Sequence, residues 1–145
     1  MKKLQYAVSF SDLVVYQKSQ ELAAAIFQVT EEFPDKELYS LTNQIRRSSR
    51  SIGAQIAEAW AKRSYEKHFI SKLTDADAEA HETQHWILIA ADCSYLSETD
   101  REKLIELCRE IGRLLGGMIA KSKSFCSSSN RTVKEFFSSY PSSDQ

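Results

Sequence analysis

Between Leu38 and Arg63, apolar or small side chains return at spacings of three and four: Leu38, Leu41, Ile45, Ser48, Ile52, Ile56 and Ala59. That period places all seven on one face of a 3.6-residue helix, and a helix with such a face is stable only when the face is covered by other elements. Arg46, Arg47 and Arg50 fall on the other side, beside the small Ala54 and Ala57. The helix therefore has two kinds of partner to satisfy, one apolar and one polar or anionic.

The same rhythm recurs in three further segments. A first helix is predicted from Asp12, a good N-cap, to about Phe33, with Val15, Leu22, Ile26, Val29 and Phe33 as its buried stripe. Pro34 ends it. Asp35 caps the second helix, which runs to about Lys62. Ser64 opens a third, with Phe69, Leu73, Ala76, Ala80, Thr83, Ile87 and Ala90 on one side and Tyr95 and Leu96 at its close. Ser97 opens the fourth, with Glu98, Asp100 and Glu102 in the first turn, where acids suit the helix dipole. Leu104, Leu107, Ile111, Leu114 or Leu115, and Met118 continue it, and Gly112 and Gly116 offer a neighbouring helix a close approach. Four glycines and two prolines in 145 residues are too few for a sheet built on tight hairpins. The expectation is an all-α, antiparallel up-down-up-down four-helix bundle over residues 12–121, with an arm at 1–11 and a Ser-rich tail at 122–145.

The tail holds nine serines in its 24 residues, so flexibility is its default, although Phe136, Phe137 and Tyr140 could dock on a partner or on the bundle. No apolar run approaches the roughly 18 residues that span a bilayer, and the start lacks a secretory apolar stretch. A cytoplasmic protein with no membrane partner is expected. Cys93, Cys108 and Cys126 form no CxxC pair, which fits reduced thiols, with Cys93 and Cys108 as small core residues.

Net charge is −1, but its distribution is uneven. Residues 36–72 hold eight Lys/Arg against three Asp/Glu, and residues 73–110 hold three against ten. The two segments can neutralise each other within a fold or between subunits.

His81-Glu82-Thr83-Gln84-His85 spells H-E-x-x-H, the helical spacing with which zinc peptidases hold a metal and activate water. A zinc metallopeptidase also needs a third ligand, for which Asp92 or Glu106 are candidates, and a substrate-binding strand, which nothing in the sequence suggests. His81 and His85 are read as a decoy, with no metal and no cofactor expected, and adventitious zinc or nickel binding ranks above catalysis. Glu79 and Glu82 resemble an acid–base pair but fit an ion-paired face better. There is no Gly-rich phosphate loop and no nucleophile elbow. Neither an enzyme nor a small-molecule substrate is expected. Trp60 and Trp86 read as core or interface anchors.

Several motifs carry a resemblance. Phe10-Ser-Asp-Leu13, Val15-Tyr-Gln-Lys18, Phe33-Pro34, Glu37-Leu-Tyr-Ser-Leu41, Gln44-Ile-Arg-Arg-Ser-Ser-Arg-Ser-Ile52 and Ile56-Ala-Glu58 resemble the bacterial four-helix-bundle family encoded in intervening sequences of 23S ribosomal RNA genes. Glu82-Thr-Gln84, Trp86, Asp92, Tyr95-Leu96 and Ile111-Gly-Arg113-Leu-Leu115 extend it over residues 10–121. The resemblance implies a non-catalytic homo-oligomer, a ring-like pentamer. Through the related accessory variability proteins of diversity-generating retroelements, it also implies binding of RNA, DNA or a nucleoprotein partner by basic surface. Arg46, Arg47 and Arg50 match the family's arginine motif, with Lys62 and Arg63 extending it. The chain departs from the family pattern at Ala59-Trp60 and Ala78-Glu79, and the acid argues against nucleic-acid contact by helix three.

Two readings follow. In one the arginines are structural, pairing with the acidic stretch of helix three or of a neighbouring subunit, and the protein is an interaction scaffold. In the other they form the nucleic-acid face of an adaptor, with avidity from several copies and binding that falls steeply with salt.

Overall fold

The structure is a computed structural model that describes residues 7–126. Four long helices dominate it: α1 (Val14–Thr30), α2 (Asn43–Ala61), α3 (Glu66–Asp92) and α4 (Glu98–Ala120), followed by a short α5 (Ser122–Cys126). No strand occurs among the described residues. Short connections leave little room for anything but antiparallel neighbours. Accordingly α1 packs on α2 and α4, and α3 on α2 and α4, which is the cyclic order of an up-down-up-down bundle.

The core is built from the stripes the periodicity picks out. All seven residues expected on α3 are buried, as are Leu41, Ile45, Ser48, Ile52, Ile56 and Ala59 of the second helix. Leu104, Leu107, Ile111, Leu115 and Met118 of α4, and Val15, Leu22 and Ile26 of α1, complete the centre, while Leu114 and Val29 sit at its margin. Leu38 is the exception, 40% exposed. Residues 35–42 do not continue α2 as an α-helix: Asp35–Glu37 is a 3-10 turn and Leu38–Thr42 a π turn. The change in residues per turn rotates Leu38 out of the stripe.

Three helix starts also differ from expectation, the first being that of α2, where Thr42 rather than Asp35 stands at the N-cap, with no side-chain cap bond. Leu13, not Asp12, stands at the N-cap of α1, with no side-chain cap bond; Ser9 caps the turn before it, its hydroxyl accepting from Ser11 N–H, while Asp12 reaches back to accept from Val8 and Ser9 N–H at 2.9 and 3.0 Å. Those backbone hydrogen bonds, Ser9's first, hold the Asp12 carboxyl below its ordinary pKa. The turn they close, Phe10–Asp12, precedes α1. Tyr65 rather than Ser64 stands at the N-cap of α3, with no side-chain cap bond. Ser97 caps α4 as expected, accepting from Asp100 N–H at 3.0 Å.

Ser122–Cys126 is helical and packs on α3, with Phe125 stacked on Phe69 at 5.8 Å and Ser122 Oγ donating to Glu66 Oε1 at 3.1 Å. Phe136, Phe137 and Tyr140 lie outside the described residues. Gly116 and Gly117 have open space where a Cβ would stand, and at Gly112 a Cβ would meet Asp77 Oδ1 at an ordinary 3.6 Å. Close approach inside the bundle occurs at Gly53 instead, where a Cβ would come within 3.1 Å of Ser19 Oγ and 3.3 Å of the Tyr16 ring. No described helix is long and apolar enough to cross a membrane.

Candidate functional site

The five basic residues singled out by the sequence do not form one surface. Arg46 and Arg50, four apart on α2, both reach the ring of Phe27 on α1, with guanidinium carbons 4.9 and 5.9 Å from its centre. Arg46 is further fixed by donating from Nε to Thr30 Oγ1 at 2.8 Å. The ring is 42% exposed because it lies just off the buried α1 stripe, one residue past Ile26. A large aromatic at a solvent position was the signal in the sequence for this clamp, and the stripe alone passes over it. Cation–π contact of this kind contributes about 0.5–1 kcal/mol at an exposed site, so the ring restrains both side chains without locking them.

Arg47 turns the other way. It pairs with Glu82 and, at 3.5 Å, with Glu79, both on α3. Glu82 also accepts from Trp86 Nε1 at 3.2 Å. The carboxylates that mimic an acid–base pair are thus an ion-paired seam between α2 and α3. The Arg47–Glu82 pair is open to water and contributes only about 0–1 kcal/mol, whereas Glu79 is more covered, its Oε2 being buried without a hydrogen-bond partner among the described residues. Beneath the seam Ser48 Oγ and Thr83 Oγ1 are hydrogen-bonded at 2.9 Å in a buried contact.

Arg63 is 5% exposed. Its guanidinium lies 3.4 Å from the centre of the Trp60 ring, and Nε donates to the Trp60 carbonyl at 2.8 Å. Burial pulls its pKa down from the ordinary arginine value. It closes the end of α2 and is no part of a basic surface. Lys62, at the C-cap of α2, is exposed.

A shallow hollow on the outside of α2 is lined by Asn43, Arg46, Arg47, Arg50, Ser51 and Ala54. Arg50 and Ala54 also border a groove between α1 and α2 whose walls include Phe10, Tyr16, Gln20 and Ala23, with Gly53 and Ala57 below. Phe10 and Tyr16 meet edge to face at 4.9 Å.

The H-E-x-x-H residues are arranged for structure. His81 Nδ1 lies 2.8 Å from the Asp77 carbonyl, which can only accept, so Nδ1 carries the hydrogen. His85 packs edge-on against Trp86 at 4.8 Å. Glu82, which would activate water in a peptidase, is engaged by Arg47 and Trp86. Among the described residues no group of three or more His, Cys, Asp or Glu could hold a metal ion. Cys108 is buried, and desolvation pushes its thiol to a pKa of about 12. Cys93, expected in the core, is exposed because it falls at the C-cap of α3, past the last covered turn.

Comparison with known proteins agrees with this fold. A solved protein of unknown function from the S23 ribosomal protein family of Bacteroides thetaiotaomicron is 33% identical, covering 74% of this chain and 96% of its own, with a TM-score of 0.67. No curated protein matches the chain. The model of the family described as 23S rRNA-intervening sequence protein matches residues 11–117, from the turn before α1 to the last turn of α4. With that span and the four-helix order both matched, the chain belongs to the 23S rRNA-intervening sequence protein family.

Proposed function

We propose that this protein is a non-catalytic interaction scaffold of the cytoplasm that assembles from identical copies, five in a closed ring as the resemblance implies. The observation that carries the reading is the internal use of the basic residues: Arg47 is paired with α3, Arg63 is buried on Trp60, and Arg46 is tied to Thr30. Most of the cluster thus holds the bundle together. Large apolar side chains meanwhile remain outside, including Val14, Leu38, Tyr39, Tyr65 and Leu88. Such side chains are available to a neighbouring copy, where aromatic residues are the usual anchors.

A second reading has its own observation. The hollow on α2 is lined by three arginines and no carboxylate, so an adaptor that binds RNA or DNA would use Arg46, Arg47 and Arg50. Light scattering, run beside RNA and DNA binding at two salt concentrations, separates the two for wild type and for a variant with all three arginines changed to Ala. The scaffold reading expects a wild-type mass five times that of the chain, a smaller or mixed mass in the variant, and no measurable nucleic-acid binding. Unchanged mass with loss of salt-sensitive binding replaces it with the adaptor.

A further inference from the structure

We propose that the arginine hollow and the α1–α2 groove form one track for single-stranded nucleic acid, a phosphate resting on Arg46 and Arg50 and the adjoining base lying against Tyr16. The proposal rests on the adaptor reading and names its residues. Three observations carry it. First, Arg46 and Arg50 are held against one ring, Phe27, and Arg46 has spent only Nε, on Thr30. Its Nη groups, and the whole guanidinium of Arg50, have no hydrogen-bond or ion-pair partner among the described residues. Side chains restrained before the ligand arrives lose less entropy on binding, and a guanidinium matches phosphate oxygens two at a time.

Second, the hollow and the groove are continuous through Arg50 and Ala54, which line both. A row of cations opening directly onto an aromatic-walled groove suits a chain that alternates phosphate and base. An acidic peptide would make no use of the second half of the track. Third, the remaining basic residues are placed elsewhere: Arg63 is buried, Lys62 stands at the far end of α2, and Arg47 is held by Glu82. Arg47 lines the hollow as well, so it is an additional donor once phosphate competes with Glu82.

The test is fluorescence anisotropy with a labelled oligouridine of about 15 nucleotides, long enough to follow a track of this kind, using the full chain and the variants Phe27→Leu, Arg50→Ala, Ala54→Glu and Lys62→Ala. Light scattering on each variant runs in parallel, and inorganic phosphate and polyglutamate serve as competitors. Phe27→Leu and Arg50→Ala are expected to weaken binding about fivefold to tenfold, and Ala54→Glu to remove it, while Lys62→Ala stays within about twofold. Loss of the Arg50 contact lowers the slope of log K against log salt by about 0.7, the value for one phosphate on a single strand. All variants keep the wild-type mass, and inorganic phosphate competes weakly. Wild-type binding that Phe27→Leu and Ala54→Glu leave intact overturns the track while the adaptor reading survives; absence of wild-type binding overturns both. Polyglutamate competing as well as RNA makes the hollow a carboxylate receptor, and a changed mass in Ala54→Glu makes the face a contact between copies. Either result overturns the proposal.

Discussion

Neighbouring arginines on one helix do different work here because the helix turns about 100° per residue. Arg46 and Arg50 sit over α1 while Arg47 faces α3. The spacing in the sequence separates Arg47 from the other two, but the partners Phe27, Glu79 and Glu82 become visible only when α1 and α3 are placed on either side of α2. Arg63 was harder still to read, since an arginine next to Lys62 in a basic run gives no hint of a guanidinium stacked on Trp60. The buried Ser48–Thr83 hydrogen bond lends itself to a direct check. Thr83→Val is expected to cost about 1 kcal/mol in urea unfolding by removing this contact, the Ser48 hydroxyl keeping its bond to the Ile45 carbonyl at 3.3 Å, and a double-mutant cycle with Ser48→Ala reads the coupling between the two side chains. At Cys108, burial keeps the thiol protonated, its pKa being about 12. At pH 8 a thiol reagent is expected to label exposed Cys93 in the native protein and Cys108 only after unfolding, because the thiolate is the reactive form; labelling of native Cys108 at the Cys93 rate would contradict the burial.

At the scale of the element, the end of α3 shows how much local chemistry the periodicity leaves out. Ser94 has φ of 62°, in the left-handed region that favours glycine. Its N–H donates to the Ala91 carbonyl and the Tyr95 N–H to the Ala90 carbonyl, both at 2.9 Å. This pair of bonds is a Schellman motif, in which glycine usually occupies the left-handed position. Ser94→Gly removes a left-handed penalty of about 1–2 kcal/mol, partly offset by the greater freedom of glycine in the unfolded chain. A higher melting temperature is expected; a lower one would mean that the serine side chain contributes to the turn. Ser97→Ala deletes the α4 cap and is expected to cost about 1 kcal/mol, read as a lower urea midpoint. That cap was legible as Ser97 followed by acids, and all seven core positions of α3 were legible as a period. The π turn at Leu38–Thr42 was not, because Leu38 and Leu41 keep helical spacing while the backbone between them does not.

For the whole molecule, the sequence carries the bundle more fully than the site. Four stripes and short loops leave one economical arrangement, and it is the one found. The basic and acidic segments meet in part within the fold, at Arg47 with Glu79 and Glu82 and at Lys72 with Asp75. An interface, by contrast, depends on which side chains stay outside once the core has closed. The N-terminal segment adds to that outside surface with Val8 and Val14, and the α1–α2 turn adds Leu38 and Tyr39. Covering them with a second copy is what the scaffold reading requires. Native mass spectrometry of the full chain across a dilution series tests that requirement most directly. The account expects a single species of five chains that persists to low concentration, and a single chain at every concentration would contradict it.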